Sequence, residues 1–263
     1  LDTFFAANEL RVDGILNGLD LDTWSPYHSP HLNTHLLNEP SDETIDHWKS
    51  LMKRRVVPSF YPTERSAVHN KIEGRDAPLA IFISRFDAQK GVELILEALE
   101  TWLSGGGLCY ILGSGSKSLE ARVSSFATRH PEQCKVTLGF HLKLAHQLFA
   151  AADLCLIPSR FEPCGLTQMQ AMRYGTLPLA TPVGGLRDSI TPLNLSSGVA
   201  SPLSGNGFLS LNVSTEAISE VLSEALTLWT DLRGWRSARR RALNTDWSWS
   251  MSAQQWQKVI EGD

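Results

Sequence analysis

The chain is 263 residues long, room for one domain or two at about 150 residues each; 42% of it is hydrophobic and 20% charged. That balance supplies a sizeable core and excludes intrinsic disorder, collagen and a disulfide scaffold. A net charge of -4 carries no global basic field toward nucleic acid or an anionic membrane, and no apolar run approaches the ~18 residues that a membrane span needs.

In chain order, the start, Leu1-Asp2-Thr3-Phe4, has neither an initiator Met nor a basic-then-apolar signal region. It reads as the inside of a longer polypeptide. Residues 25–76 are rich in Pro, Ser, His and Asn, with one helix predicted over 41–55 in an otherwise loop-rich connecting region. Leu79-Ala80-Ile81-Phe82-Ile83 is a short, nearly all-apolar run, the pattern of a strand buried on both faces. Val92, Ile95, Leu96, Leu99 and Trp102 then recur at helical spacing until Gly105-Gly106-Gly107 stops the helix. Further strands are predicted over 108–112, 135–138, 154–157 and 177–180, with helices over 117–129, 142–150 and 166–174 between them. Gly205-Asn206-Gly207-Phe208 introduces a last short strand, helices cover 215–229 and 233–243, and a tail helix over 250–260 is pinned by Trp256 and Val259.

Strict alternation with short connections implies an α/β fold, a doubly wound parallel sheet. The expected division is a linker and loop-rich segment over 1–76, a Rossmann-like domain over 77–245 and a C-terminal helix over 246–263. Ligands of such sheets bind at the carboxyl ends of strands, so the loops after Ile83, Leu112, Leu138, Ile157 and Ala180 are where function is sought.

Two of those loops carry chemistry. Ser84 to Gly91 places Arg85 and Lys90 between a buried strand and a helix N-terminus, a combination that suits anionic oxygens. The plainer alternative is a pair of solvated surface charges. Pro158 to Gln168 again joins a strand to a helix start: Gly165 lets a ligand approach the backbone, and the N–H groups of Gly165, Leu166 and Thr167 would point at a phosphate. Glu162 there could accept hydrogen bonds from sugar hydroxyls, or serve only as a carboxylate suited to the helix dipole. Gly113-Ser114-Gly115 and Gly184-Gly185 also follow strands, and for both a structural turn competes with ligand contact. Cys109, Cys134, Cys155 and Cys164 form no CxxC pair, and Cys109 and Cys155 sit in apolar runs as small buried hydrophobes in a reduced compartment. The eight histidines form no metal pattern, His141 and His146 read as structural or surface residues, and no GxSxG or HExxH supports a hydrolase.

Taken together and in this order, these loops closely resemble the starch and glycogen synthases. The resemblance lies in the RxxxQKG loop at 85–91, the FEPCGLTQ-x-x-AMRYGT-x-P stretch at 161–178 and the TGGL-like Val183-Gly184-Gly185-Leu186. The GILNGLDLDTWSP run at 14–26 and the closing DWSW with its helix at 246–260 also match, leaving only about 27–76 uncovered. The resemblance implies a GT-B fold, two Rossmann-like domains facing across a cleft. It implies transfer of glucose, with retention and without a metal, from ADP-glucose or UDP-glucose to the non-reducing 4-hydroxyl of an α-1,4-glucan.

In that frame Arg85 and Lys90 hold the diphosphate and stabilise the departing nucleotide, Glu162 binds the donor glucose near the reacting carbon, and the Gly165, Leu166 and Thr167 amides, beside Cys164, hold the distal phosphate. Phe140 stands where the family often has a Tyr that stacks on adenine, and Gln170 where related transferases have a second Glu. The family's KxGGL lysine loop is absent, so the chain is expected to lack the N-terminal acceptor-side domain and to bind donor but not transfer glucose alone. The final helix, which in the family packs on that domain, is expected to expose Trp247, Trp249 and Trp256. The matching compartments are bacterial cytoplasm or plastid stroma. Competing readings are a non-catalytic nucleotide- or glucan-binding regulatory module, or another retaining transferase such as a sucrose synthase or a trehalose-forming enzyme; the cysteine in FEPCGL and the AMRYG run favour the starch and glycogen group.

Overall fold

The apolar run at 79–82 is wholly buried because the strand it forms lies in mid-sheet, bonded to a neighbour on each side and covered by helices. The computed structural model describes residues 14–61, 71–72, 75–193 and 204–261; the start at Leu1 and residues 62–70 of the loop-rich segment lie outside them. Within the described residues the elements are α1 (Asp42–Val56), the antiparallel pair β1 (Lys71–Ile72) and β2 (Arg75–Asp76), β3 (Leu79–Phe86), α2 (Val92–Ser104), β4 (Leu108–Gly115), α3 (Lys117–Arg129), β5 (Cys134–Leu138) and α4 (Leu142–Ala151). There follow β6 (Leu154–Ile157), α5 (Thr167–Arg173), β7 (Leu177–Ala180), α6 (Gly184–Ser189), β8 (Phe208–Leu209), α7 (Thr215–Thr230), α8 (Leu232–Asn244) and α9 (Trp249–Glu261).

The large sheet has the order β5-β4-β3-β6-β7-β8 and is parallel throughout. Counted from β3 this is the 3-2-1-4-5-6 order of doubly wound nucleotide-binding folds, with the reversal between β3 and β6. The α/β, doubly wound parallel class expected from alternation is the class observed, in the Rossmann-like form that the resemblance implies.

Four details differ from the sequence reading. β3 and β4 run on to Phe86 and Gly115, so Arg85 sits in a strand, in register with Ser114, rather than in a loop. Gly113-Ser114-Gly115 is the reason: a Cβ on Gly113 or Gly115 would lie 1.8 Å from the Ser84 oxygen or 1.9 Å from the Phe86 oxygen, so glycine alone lets the strands pair this far. Val183 to Leu186 opens the short helix α6 rather than a plain turn. In the tail, Ser252 rather than Trp256 or Val259 is the buried residue of α9, its hydroxyl donating to the Leu16 carbonyl at 2.7 Å. Trp249 and Trp256 are exposed as expected, but Trp247 is partly buried against the core, because the Leu19 N–H donates to its carbonyl at 2.6 Å and draws it in.

The irregular stretch ahead of α1 contributes Leu32 and Leu36 to the main core, and α1 adds Ile45, Trp48 and Met52. Cys109, Cys134 and Cys155 are buried free thiols. Cys109 and Cys134 face each other across β4 and β5 with sulfurs 3.1 Å apart.

Candidate functional site

The carboxyl ends of β3 and β6 are neighbours at the reversal of strand order, and the loops leaving them carry Arg85, Lys90 and Glu162. Arg85, at the end of β3, has a side chain 71% exposed, with Nη1 3.3 Å from Asp87 Oδ2. Asp87 accepts the Lys90 backbone N–H at 2.9 Å through its other oxygen, which fixes the turn into α2. Gly91 precedes α2 with φ 66°, and a Cβ there would lie 2.0 Å from the Pro158 carbonyl oxygen. A left-handed glycine without a side chain therefore lets this turn press on the β6 loop. Two hydrogen bonds hold the loops together: Arg160 N–H to the Gln89 carbonyl at 2.8 Å, and Gln89 Nε2 to the Phe161 carbonyl at 3.0 Å.

As a result Lys90 meets Glu162. Nζ lies 2.5 Å from Oε2, and the two side chains are only 20% and 11% exposed. The same carboxylate oxygen accepts the Ser159 hydroxyl at 3.1 Å, and the Ser159 carbonyl accepts the Thr181 hydroxyl at 2.5 Å. A third loop supports this one from the β7 side. Gly185 N–H donates to the Glu162 carbonyl at 2.9 Å, and Cβ atoms on Gly184 and Gly185 would fall 2.1 Å from the Glu162 oxygen and 2.2 Å from the Cys164 oxygen.

The residues expected on the substrate side fall in two places. Cys164, Gly165, Leu166, Thr167 and Gln170 follow Glu162 directly. Gly165 is left-handed at φ 75°, Thr167 opens α5, and Gln170 is half-buried on that helix. Gln168, which the sequence did not single out, fixes the turn: its buried Nε2 donates to the carbonyls of Cys164 and Gly165 and to the Ser189 hydroxyl at 3.1, 2.9 and 3.0 Å. Phe140 projects from the loop after β5, 87% exposed, with β4 between that strand and β3. Ser159 and Thr181 were also not singled out; nothing in a Ser or Thr beside a strand end distinguishes them before the loops are brought together.

The arrangement combines an exposed guanidinium, a half-buried ammonium and a nearly buried carboxylate at one strand-end crevice. It can bind an anion through the cations and hydroxyl donors through the carboxylate. Among the described residues no group of three or more His, Cys, Asp or Glu is placed to hold a metal ion, and no helix is long and apolar enough to cross a membrane.

The family described as glycosyl transferases group 1 matches residues 65–242, more than half of the chain. The chain belongs to that family. Similar proteins include the glycogen synthase of Serratia proteamaculans (strain 568), 34% identical over 254 residues that cover 95% of this chain and 49% of that protein. The glycogen synthase of Halorhodospira halophila (strain DSM 244 / SL1) is 37% identical over 249 residues, 95% of this chain and 48% of the other. Among solved structures, the catalytic domain of starch synthase IV from Arabidopsis thaliana, bound to ADP and acarbose, superposes with a TM-score of 0.80 at 28% identity, covering 98% of this chain and 50% of that one. Anabaena HepE in complex with UDP-glucose, at 17% identity and TM-score 0.62 over 99% of this chain and 61% of its own, shares the fold. This glycosyl transferase chain spans about half the length of the curated relatives it matches.

Proposed function

We propose that the chain is the nucleotide-sugar half of a starch or glycogen synthase, transferring glucose from ADP-glucose or UDP-glucose to the non-reducing end of an α-1,4-glucan with retention. The observation that carries this reading is the meeting of Lys90 and Glu162 at 2.5 Å where the strand order reverses, the place where doubly wound sheets bind ligands. The ADP held by the starch synthase IV neighbour supports it.

In this reading Arg85 and Lys90, without a metal, neutralise the diphosphate and stabilise the negative charge that grows on it as the glucosyl bond breaks. Glu162 accepts hydrogen bonds from hydroxyls of the glucose and fixes the sugar beside the leaving group. The amides of Gly165, Leu166 and Thr167 face the distal phosphate beside Cys164, Gln170 reaches the ribose, and Phe140 offers a stacking face to the base. Acceptor binding falls to an acceptor-side domain in the remaining half of such a protein.

Loss of two charge-assisted contacts costs about 3 kcal/mol or more. Calorimetry with ADP should therefore show binding all but abolished in Arg85→Ala/Lys90→Ala, and unchanged affinity would mean that the site is misassigned. Glucan elongation from ADP-glucose is expected only after a separately expressed acceptor-side domain is added. Elongation by this chain alone would overturn that division of labour.

A further inference from the structure

Lys90 is the residue that the proposed diphosphate needs, yet it is held by Glu162. We infer that the Lys90–Glu162 pair discriminates between ligands, admitting a nucleotide that carries a sugar and resisting a bare nucleoside diphosphate. The inference rests on the reading of the site given above and adds a specificity role for this pair.

The argument is one of exchange. Glu162 Oε2 has two donors, Lys90 Nζ at 2.5 Å and Ser159 Oγ at 3.1 Å. A diphosphate that engages Lys90 either draws the ammonium away from the carboxylate or shares it, and in both cases weakens its hold on Glu162 and brings a second anion up to the carboxylate. Glu162 is only 11% exposed, so water replaces that partner poorly, and a nearly buried carboxylate stripped of its counter-ion is costly. A nucleotide sugar brings hydroxyl groups that donate to Glu162 as Lys90 leaves. A bare nucleoside diphosphate has hydroxyls only on its ribose, which this reading places at Gln170, and brings none to Glu162.

Arg85 differs in kind. Its side chain is 71% exposed and its partner Asp87 lies 3.3 Å away at the surface, so it can turn to a phosphate at little cost. Arg85 then supplies affinity common to both ligands, while the Lys90–Glu162 pair supplies the preference between them. Ser159 is a positioning residue here. Held through its carbonyl by Thr181, it keeps Oε2 turned toward Lys90. The same exchange assists turnover: once the sugar is transferred, Glu162 loses its hydroxyl partners and retakes Lys90, weakening the hold on the diphosphate product.

The test is calorimetry with ADP and with ADP-glucose on the wild-type chain, Glu162→Gln and Lys90→Ala, each checked for folding by circular dichroism. Glu162→Gln should bind ADP at least about tenfold more tightly than wild type, the scale of one charge-assisted hydrogen bond released, and its preference for ADP-glucose over ADP should narrow by a similar factor. If wild-type binding is too weak to measure, the appearance of measurable ADP binding in Glu162→Gln is the same result. Should Glu162→Gln fail to fold, Glu162→Asp, whose shorter carboxylate withdraws from Lys90, is expected to tighten ADP in the same direction. ADP affinity that is unchanged or weaker in the folded Glu162 variant, with Lys90→Ala weakened, overturns the discrimination and leaves the site reading standing. Unchanged ADP affinity in Lys90→Ala overturns the site reading and this inference with it.

Discussion

At position 91 a hydrogen in place of a side chain decides how closely two loops approach. Gly91 combines φ 66° with a Pro158 carbonyl oxygen 2.0 Å from where a Cβ would stand. Alanine there incurs a left-handed backbone penalty of roughly 1–2 kcal/mol and must also push the β3 and β6 loops apart. Gly106 is the natural control: its φ is 86°, but its nearest neighbour is the flexible end of Ile72 at 3.5 Å. Both Gly91→Ala and Gly106→Ala should lower the urea midpoint, whereas only Gly91→Ala should also weaken ADP in calorimetry, because only there is the turn that carries Lys90 pushed away from the strand-end crevice that would hold the diphosphate. Equal ADP affinity in the two variants would show that the close approach is not what sets the site. The charged residues of these loops were legible as motifs in the sequence. The glycines that make them converge were legible only as turns, since a Cβ clash depends on a backbone from another loop.

At the scale of elements, α1 shows how the region ahead of the sheet joins it. Lys53 Nζ lies 2.5 Å from Asp153 Oδ2, both side chains buried, and the same oxygen accepts the Leu79 N–H at 2.8 Å. One turn earlier, Lys49 Nζ donates to the Ala152 carbonyl at 2.5 Å and the Thr176 hydroxyl at 2.8 Å, and burial holds its pKa well below that of a free lysine. On the outer side of α1, Asp42 and Asp46 pair with Arg240 and Arg239 of α8. Asp153→Ala strips a buried cation of its partner and leaves the Leu79 amide unpaired, so urea denaturation should show a loss of about 3–5 kcal/mol. The double replacement Lys53→Met/Asp153→Leu should lose less, since no isolated charge is left behind; an equal or greater loss would refute the pairing argument. The helix itself was visible in the sequence within a residue of its bounds, but its role was not. Lys49 and Lys53 look like solvated charges when their partners lie about a hundred residues further along the chain. α6 was missed for the opposite reason, two glycines at its start masking a helix that packing sustains.

At the scale of the whole molecule, the alternation of apolar runs made the doubly wound class readable, while the strand order that brings the 85–91 and 158–168 loops together exists only in the assembled sheet. The same holds for His146, buried where the stretch leading to α1 crosses α4. Its ring stacks on Trp24 with centroids 4.1 Å apart, and Nδ1 is hydrogen-bonded to the Tyr174 hydroxyl at 2.8 Å and to Ser29 Oγ at 3.3 Å. His31 packs against it at 4.5 Å. Burial, with some repulsion from His31, lowers the His146 pKa from 6.5 to about 4, and burial also raises the Tyr174 phenol, which stays neutral throughout the acid range. The folded state therefore favours neutral His146, while the unfolded chain takes up its proton near pH 6.5. The stabilisation is fully present above pH 6.5 and is lost as pH falls toward 4, at up to about 1.4 kcal/mol per pH unit. His146→Phe keeps the aromatic contact with Trp24, loses the hydrogen bonds and cannot titrate. Urea unfolding of the two proteins at half-unit steps from pH 7.5 to 4 isolates this group, because every other titration is shared. The stability of wild type minus that of the variant should stay constant above pH 6.5 and then fall by about 3 kcal/mol in all by pH 4; a difference that does not change with pH would show that the fold does not hold this imidazole neutral.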